Sequence, residues 1–164
     1  MSTNPTTYAL GFEEGEVLWF AGALVTVKAT AEQTGGEFFL MEEFCPRGTA
    51  TPLHVHPQDN ESFYILEGEL TVYLDGQPIT ASAGSFIHIP KGYFPHAFQV
   101  ASETARFLVL TTPAHEQFIR AAAEPAQTRT IRPQEPLDME KVWAAAAEHG
   151  VEILGPPPGT QPHS

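Results

Sequence analysis

This chain has a single cysteine and few basic residues. Cys45 is the only cysteine among 164 residues, so an intramolecular disulfide cannot form and a metal site built from several thiolates is excluded. Lysine and arginine number 8 against 20 aspartates and glutamates, and the net charge is -12. Because such a surface repels phosphate backbones and anionic lipid headgroups, neither nucleic acid nor membrane is expected as a partner.

Long apolar runs are also missing from the sequence. No stretch reaches the roughly 18 apolar residues that a membrane-spanning helix needs. The first twenty residues contain three glutamates and no lysine or arginine, whereas a secretory signal begins with basic residues and continues with an apolar segment. We therefore expect a cytoplasmic protein. Its length and its 42% hydrophobic content fit one domain with one core.

Short β-rich runs separated by turn residues fill the chain from residue 16 to residue 111. This pattern is typical of an antiparallel sandwich or barrel, and since the sequence has no internal repeat, we expect a single barrel. The predicted strands are 16–20, 24–28, 38–44, 53–56, 62–67, 70–74, 77–80, 86–89, 96–100 and 106–111.

The first of two predicted helices follows the last strand. Thr112 can cap this helix, and Pro113 can occupy its first turn, where a missing backbone N–H costs nothing. The helix runs to about residue 123, where Glu124 and Pro125 end it.

The second predicted helix begins with Asp138 as its N-cap and ends at Gly150. Val142, Trp143 and Ala146 are available for its packed face, and both helices are expected on the outside of the barrel. The sequence then divides into N-terminal strands and barrel (1–111), a helical extension of the same domain (112–155) and a flexible tail rich in proline and glycine (156–164).

Histidine and carboxylate side chains come close together on two predicted strands. His54 and His56 are two residues apart, so both imidazoles lie on one face of a strand. Glu61, Phe63 and Ile65 share one face of the next strand, which places a carboxylate among apolar side chains. Burying this carboxylate unpaired would be costly, and a cation held together with the two histidines would offset that cost.

These residues lie in two motifs that resemble those of the cupin superfamily. The segment GTATPLHVHPQDNESFYILEG, residues 48–68, has the spacing of the first cupin motif throughout. The segment GSFIHIPKGYFPHAF, residues 84–98, is similar to the second motif, including its histidine at position 96. Several fixed positions at the expected spacing are far more specific than a lone His-x-His pair.

The second motif departs from the family pattern at two points. Three residues rather than two separate Gly92 from His96, and Val100 stands where the motif usually has asparagine. His96 aligns with the ligand position, and His88, in the preceding strand, is its rival. His115, near the start of the first helix, is expected at the surface or at the rim of the pocket.

The resemblance implies an all-β fold, a double-stranded β-helix or jelly-roll barrel with two C-terminal helices packed outside it. It also implies a metal site formed by His54, His56, Glu61 and His96. Three imidazoles and one carboxylate suit one divalent ion with open positions, which could be iron, manganese, nickel, cobalt or zinc.

Within the superfamily the chain most resembles small bacterial quercetinase-like dioxygenases, through the segment AEHGVEILGPP that follows the two helices. In that group the metal binds a deprotonated flavonol, and dioxygen opens the heterocyclic ring with loss of carbon monoxide. The resemblance implies that Glu61 is both ligand and catalytic proton acceptor, and that the substrates are dioxygen and a flavonol or another small enol or diketone. Aromatic residues expected to line the cavity are Phe63, Tyr64, Phe86, Phe94 and Phe98.

Two other classes of function stay open. A non-redox cupin isomerase would act on a polar, often anionic substrate, yet the only basic residues between positions 46 and 111 are Arg47, Lys91 and Arg106. None of them lies beside the histidines on a motif strand. A non-catalytic small-molecule-binding cupin is the second alternative. Assembly into a homodimer is also left open.

Overall fold

Strands dominate residues 5–133 and 137–159, the part of the chain that the computed structural model describes. The elements in chain order are β1 Glu16–Phe20, β2 Ala23–Ala29, β3 Phe39–Pro46, β4 Leu53–Val55, β5 Glu61–Glu67, β6 Glu69–Leu74, β7 Gln77–Ser82, β8 Phe86–Ile89, β9 His96–Val100, β10 Thr104–Thr111, α1 His115–Ala122, β11 Glu124–Pro125, α2 Met139–Glu148 and β12 Glu152–Gly155. All ten strands predicted before residue 112 are present, and their bounds differ from the prediction by at most two residues.

The strands form two antiparallel sheets that make up a double-stranded β-helix, as predicted. One sheet has the order β11-β1-β2-β3-β10-β5-β8, and the other has the order β12-β4-β9-β6-β7. Strands that are distant in sequence, such as β3, β5 and β10, therefore become neighbours. The inner faces of the two sheets enclose the core.

Alternation along β3 shows how the sequence produces this core. Phe39, Met41 and Cys45 are buried on the inner face of the strand, as a period of two residues requires. Phe107 of β10 and Ile65 of β5 continue the same buried layer across the sheet. Each such side chain stabilises the fold by about 1.5–3 kcal/mol through removal of apolar surface from water.

The tight connection between β5 and β6 depends on Gly68. Its backbone has φ +81°, and a Cβ at this position would lie 2.3 Å from the carbonyl oxygen of Thr104. Only glycine can adopt this left-handed conformation and allow such close approach of another backbone. The passage of the chain from β5 in one sheet to β6 in the other therefore requires glycine for a steric reason.

The first helix begins later than predicted, and Thr112 does not cap it. The N-cap residue is Ala114, which makes no side-chain hydrogen bond. The Thr112 hydroxyl instead accepts a hydrogen bond from the backbone N–H of Asn60 and donates one to Asp59. The hydroxyl is thereby used to hold the loop between β4 and β5 next to the end of β10. Residues 124 and 125, predicted only to end the helix, also pair with β1.

The second helix begins as predicted, but the prediction of its packed face was wrong for one residue. The Asp138 side chain accepts a hydrogen bond from the backbone N–H of Lys141, and Val142 and Ala146 are buried. Trp143 is 53% exposed because it lies one residue, about 100° of rotation, away from Val142. The buried face uses Ala145 instead, in the spacing i, i+3, i+4.

The strand β12 was not predicted. It follows α2 and pairs with β4, the strand that carries His54. The predicted tail begins directly after it, and residues 160–164 of that tail lie outside the described residues. No helix in the described part of the chain is long and apolar enough to span a membrane.

Candidate metal centre

Strands β4, β5 and β9, together with His56 directly after β4, bring the predicted metal ligands together. His54 pairs directly with His96 across β4 and β9, while Glu61 begins β5. His54, His56, Glu61 and His96 are all buried, and one ligand atom from each lies within 4.8 Å of the others. The two motifs therefore converge on a single cluster, which could hold a metal ion.

Backbone carbonyls orient two of the three imidazoles. The His54 Nδ1 atom lies 2.7 Å from the carbonyl oxygen of Pro52, and the His96 Nδ1 atom lies 2.8 Å from that of Phe94. An Nδ1–H that donates to a carbonyl leaves Nε2 as the atom available to a metal. Phe94 belongs to the longer turn of the second motif, so the additional residue in that turn is compatible with placing His96 in the cluster.

His56 supplies the observation that best tests whether a cation fits. Both of its ring nitrogens are buried and have no hydrogen-bond partner. Burial lowers the pKa of His56 to about 3, so the ring is neutral and has a lone pair without a partner. Buried polar atoms are nearly always satisfied, and coordination of a metal by this imidazole would satisfy it.

Glu61 is the anionic centre of the cluster. Its carboxylate lies 3.2 Å from His96 Nε2 and 3.7 Å from His56 Nε2. Burial acts to raise the pKa of Glu61, but the surrounding histidines outweigh it and hold the pKa well below its usual range. Burial likewise acts to lower the pKa of His96, yet the hydrogen bond and the charge of Glu61 raise it overall. The carboxylate thus stays ionised and available as a ligand.

The chemistry of this donor set fits one divalent first-row ion. The four donor atoms lie within 4.8 Å of one another, which is close enough for all of them to bind one ion. Four protein ligands also leave open positions in a five- or six-coordinate ion, as a substrate-binding metal requires.

His88, the rival ligand, lies outside the cluster. It is on the outer face of β8, where its Nδ1 atom is 2.8 Å from the Ser62 hydroxyl. His54 and His96 by contrast have ring centroids 4.3 Å apart. Of the two candidates in the second motif, the structure brings only His96 to the other ligands.

His115 is a member of the site that the sequence did not predict correctly. It was expected at the surface or the pocket rim, but it is only 3% exposed, and its Nε2 atom lies 3.7 Å from the Glu61 carboxylate. Burial lowers the pKa of His115. The signal was available, since His115, Phe118 and Ile119 have the spacing i, i+3, i+4 that defines the buried face of α1.

The cluster opens into a cavity of about 120 Å³. A single water molecule needs a cavity of about 10–15 Å³, so this cavity has room for a small molecule. Phe63 and Phe98 line it as predicted, whereas Tyr64, Phe86 and Phe94 are exposed and do not. Helices α1 and α2 contribute further apolar walls, which include Phe118, Met139 and Val142.

Glu43 is the second residue of the cavity that the sequence analysis missed. It lies on the inner face of β3 between Met41 and Cys45. Burial, and to a lesser extent the charge of Glu61, raise the pKa of Glu43 to about 8. The cavity thus contains an ionised carboxylate in the donor cluster and a second carboxyl group that is protonated at neutral pH.

Comparison with known proteins agrees with this geometry. The family model of the cupin domain matches residues 40–111, the segment that carries both motifs. The chain belongs to the cupin superfamily. It is 31% identical over 130 residues to quercetin 2,3-dioxygenase of Bacillus subtilis (strain 168), a match that covers 79% of this chain and 38% of that protein. The chain thus spans well under half the length of this curated relative.

Solved structures of cupins share the fold at low identity. The polyketide cyclase RemF from Streptomyces resistomycificus is 22% identical with a TM-score of 0.57, and the match covers 79% of this chain and 89% of that one. An RmlC-like cupin from Shewanella frigidimarina is 19% identical with a TM-score of 0.57, covering 68% of this chain and 96% of that one. At these identities the likeness concerns the fold alone.

Proposed function

We propose that this protein is a metal-dependent dioxygenase that opens the ring of a flavonol or of a similar small enol or diketone. The observation that carries the proposal is a cluster of three histidines and Glu61 at the wall of an apolar, aromatic cavity. The sequence similarity to quercetin 2,3-dioxygenase of Bacillus subtilis supports the same assignment. Because only part of that relative is matched, the activity is inferred from the site.

The walls of the cavity favour a planar, largely apolar substrate. Phe63 and Phe98 have ring centroids 6.0 Å apart in an edge-to-face arrangement, and Phe118 adds a third aromatic wall. No lysine or arginine is among the described residues that line the cavity. An anionic sugar or keto acid would therefore have no lysine or arginine partner beside the metal site, which weighs against the isomerase alternative.

Glu61 has the position and the ionisation state of a proton acceptor. Its carboxylate is held ionised by the surrounding histidines, and it points into the cavity that would receive the substrate. A divalent ion held by the cluster would lower the pKa of a coordinated substrate hydroxyl and stabilise the resulting enolate. Glu61 would then accept the hydroxyl proton, and exclusion of water by α1 and α2 would protect the anion from side reactions.

The experiment is oxygen uptake with quercetin, measured separately on protein loaded with iron, manganese, nickel, cobalt or zinc. We expect a shift of the flavonol absorption on binding, followed by bleaching and consumption of one dioxygen per flavonol with release of carbon monoxide. The Glu61→Gln variant should slow bleaching by about 100-fold, the lower range for loss of a general base. Glu69→Gln, at an exposed position of β6, is the matched control and should retain the activity.

One result would reject the flavonol assignment, and another would reject the role of Glu61. If no metal form gives either the spectral shift or oxygen consumption, flavonol cleavage is excluded, and smaller enols and diketones are tested next. If the flavonol is bleached equally by both glutamate variants, Glu61 is not the proton acceptor.

A further inference from the structure

We propose that Glu43 binds the substrate directly and donates a hydrogen bond from its carboxyl group to an uncharged oxygen that the metal does not chelate. The inference rests on the proposed function and deepens it, because it names a second feature of the substrate that the cavity recognises. Glu43 would thus determine specificity, while the histidine cluster binds the reacting end of the molecule.

The position of Glu43 in the sheet separates it from the donor cluster. Glu61 of β5 is level with Phe39 of β3, since both pair with Thr111 of β10. Glu43 is four residues further along β3, which is about 13 Å of strand, and it is level with Phe107. Glu43 and Glu61 nevertheless line the same cavity, so one ligand can contact both.

Glu43 is buried and has no partner among the described residues. Its residue is 5% exposed, and within the described residues no hydrogen bond or ion pair engages its carboxyl group, whereas neighbouring Glu42 pairs with Arg106. A carboxyl group at the wall of a cavity that has no partner among the described residues is more readily explained by a contact with the ligand than by packing.

The charges around Glu43 decide which chemistry it can recognise. The titratable groups that act on it or respond to it are Glu61 and the Cys45 thiol, both acidic. The described lining contains histidines of the donor cluster but no lysine or arginine. The group is therefore protonated near neutral pH, where it is a hydrogen-bond donor. It would favour a hydroxyl oxygen as acceptor and would disfavour a second carboxylate.

The test compares ligands that chelate alike but differ in their other oxygens. Zinc-loaded protein, which is redox-silent, is titrated with quercetin and with 3-hydroxyflavone, which has the same chelating pair and no further hydroxyls. We expect Glu43→Leu to weaken quercetin binding about tenfold, as loss of one buried hydrogen bond predicts, and to leave 3-hydroxyflavone binding unchanged. Glu43→Gln keeps a donor and should restore most of the quercetin affinity. Metal content should be equal in all three proteins.

The outcomes separate this inference from the proposed function. Equal weakening of both ligands by Glu43→Leu, or no effect on either, overturns the role of Glu43 while leaving the flavonol assignment intact. If the wild-type protein binds neither flavonol with any of the five metals, the flavonol assignment fails. The same variants are then titrated with 5-hydroxy-2-methyl-4-pyranone and its 2-hydroxymethyl analogue, smaller chelators that differ by one hydroxyl. A preference for the second compound that Glu43→Leu abolishes supports the inference, and an equal response to both compounds rejects it.

Discussion

Replacing Glu43 by glutamine should stabilise the protein progressively as the pH rises. The pKa of Glu43 is raised by burial from its ordinary 4.5 to about 8. Below pH 4.5 the carboxyl is protonated in both the folded and the unfolded chain, so its contribution to stability is fully present. As the pH rises, the unfolded chain releases the proton while the folded protein retains it. Stability is therefore lost until the pH passes the folded pKa.

The size of this effect follows from the two pKa values of Glu43. Each pH unit between 4.5 and about 8 lowers the free energy of unfolding by at most about 1.4 kcal/mol. The wild-type protein should thus lose about 3 kcal/mol from this group between pH 4.5 and pH 7, and at most about 5 kcal/mol by pH 8 and above. Glutamine cannot ionise, so the variant should avoid this loss.

Urea unfolding of the metal-free proteins at pH 5, 6, 7 and 8 measures the effect. His54, His56 and Glu61 titrate in both proteins, so their contributions largely cancel in the difference between Glu43→Gln and wild type. We expect this difference to grow by about 2–4 kcal/mol between pH 5 and pH 8, while Glu69→Gln at the surface shows no such trend. A difference that stays constant within about 0.5 kcal/mol would refute the argument that burial keeps Glu43 protonated.

Two further predictions concern the metal centre and the first motif. Elemental analysis after metal loading should find about one divalent ion per chain. The His96→Ala variant should lose far more metal than His88→Ala, because the His88 ring is hydrogen-bonded to Ser62 outside the cluster. A larger loss for His88→Ala would reverse the ligand assignment. Gly68→Ala should lower the free energy of unfolding by more than about 2 kcal/mol, because its Cβ would contact the Thr104 carbonyl oxygen at 2.3 Å. Gly76→Ala, at φ +78° in open space, should cost only about 1 kcal/mol, and equal costs at the two sites would contradict the steric reason.

The strands and the cluster could be predicted because their signals are local. Alternation along a strand fixes which side chains share a face, and glycines at tight turns fix where the strands end. His54 and His56 needed only this alternation, and Glu61 needed only the direction of the next strand. His96 needed the spacing of the second motif, and the structure shows that the longer turn still delivers it to the cluster.

The remaining features depend on packing between distant segments, which a local sequence pattern cannot predict. Trp143 is apolar and helical, yet whether it is buried depends on the rotation of α2 against α1 and the barrel. The strand β12 forms because β4 leaves an edge to which residues 152–155 can pair. Its four residues, EILG, are too few to show an alternation pattern. Threonine is a common N-cap residue, but the Thr112 hydroxyl instead accepts a hydrogen bond from Asn60, in a loop that is distant in sequence.

Glu42 and Glu43 show why the sequence is least informative at the place where function is expected. Alternation does assign the two residues to opposite faces of β3, with Glu43 on the side of Met41 and Cys45. The rule that buried carboxylates need partners argues against that placement, and Glu42 obeys the rule through Arg106. Glu43 does not follow this rule, because we expect its hydrogen-bond partner to be an atom of the ligand and not of the protein. A residue that satisfies the strand period but violates the burial rule is therefore a candidate for ligand contact, and the criterion applies equally to His56, whose ring nitrogens are unsatisfied.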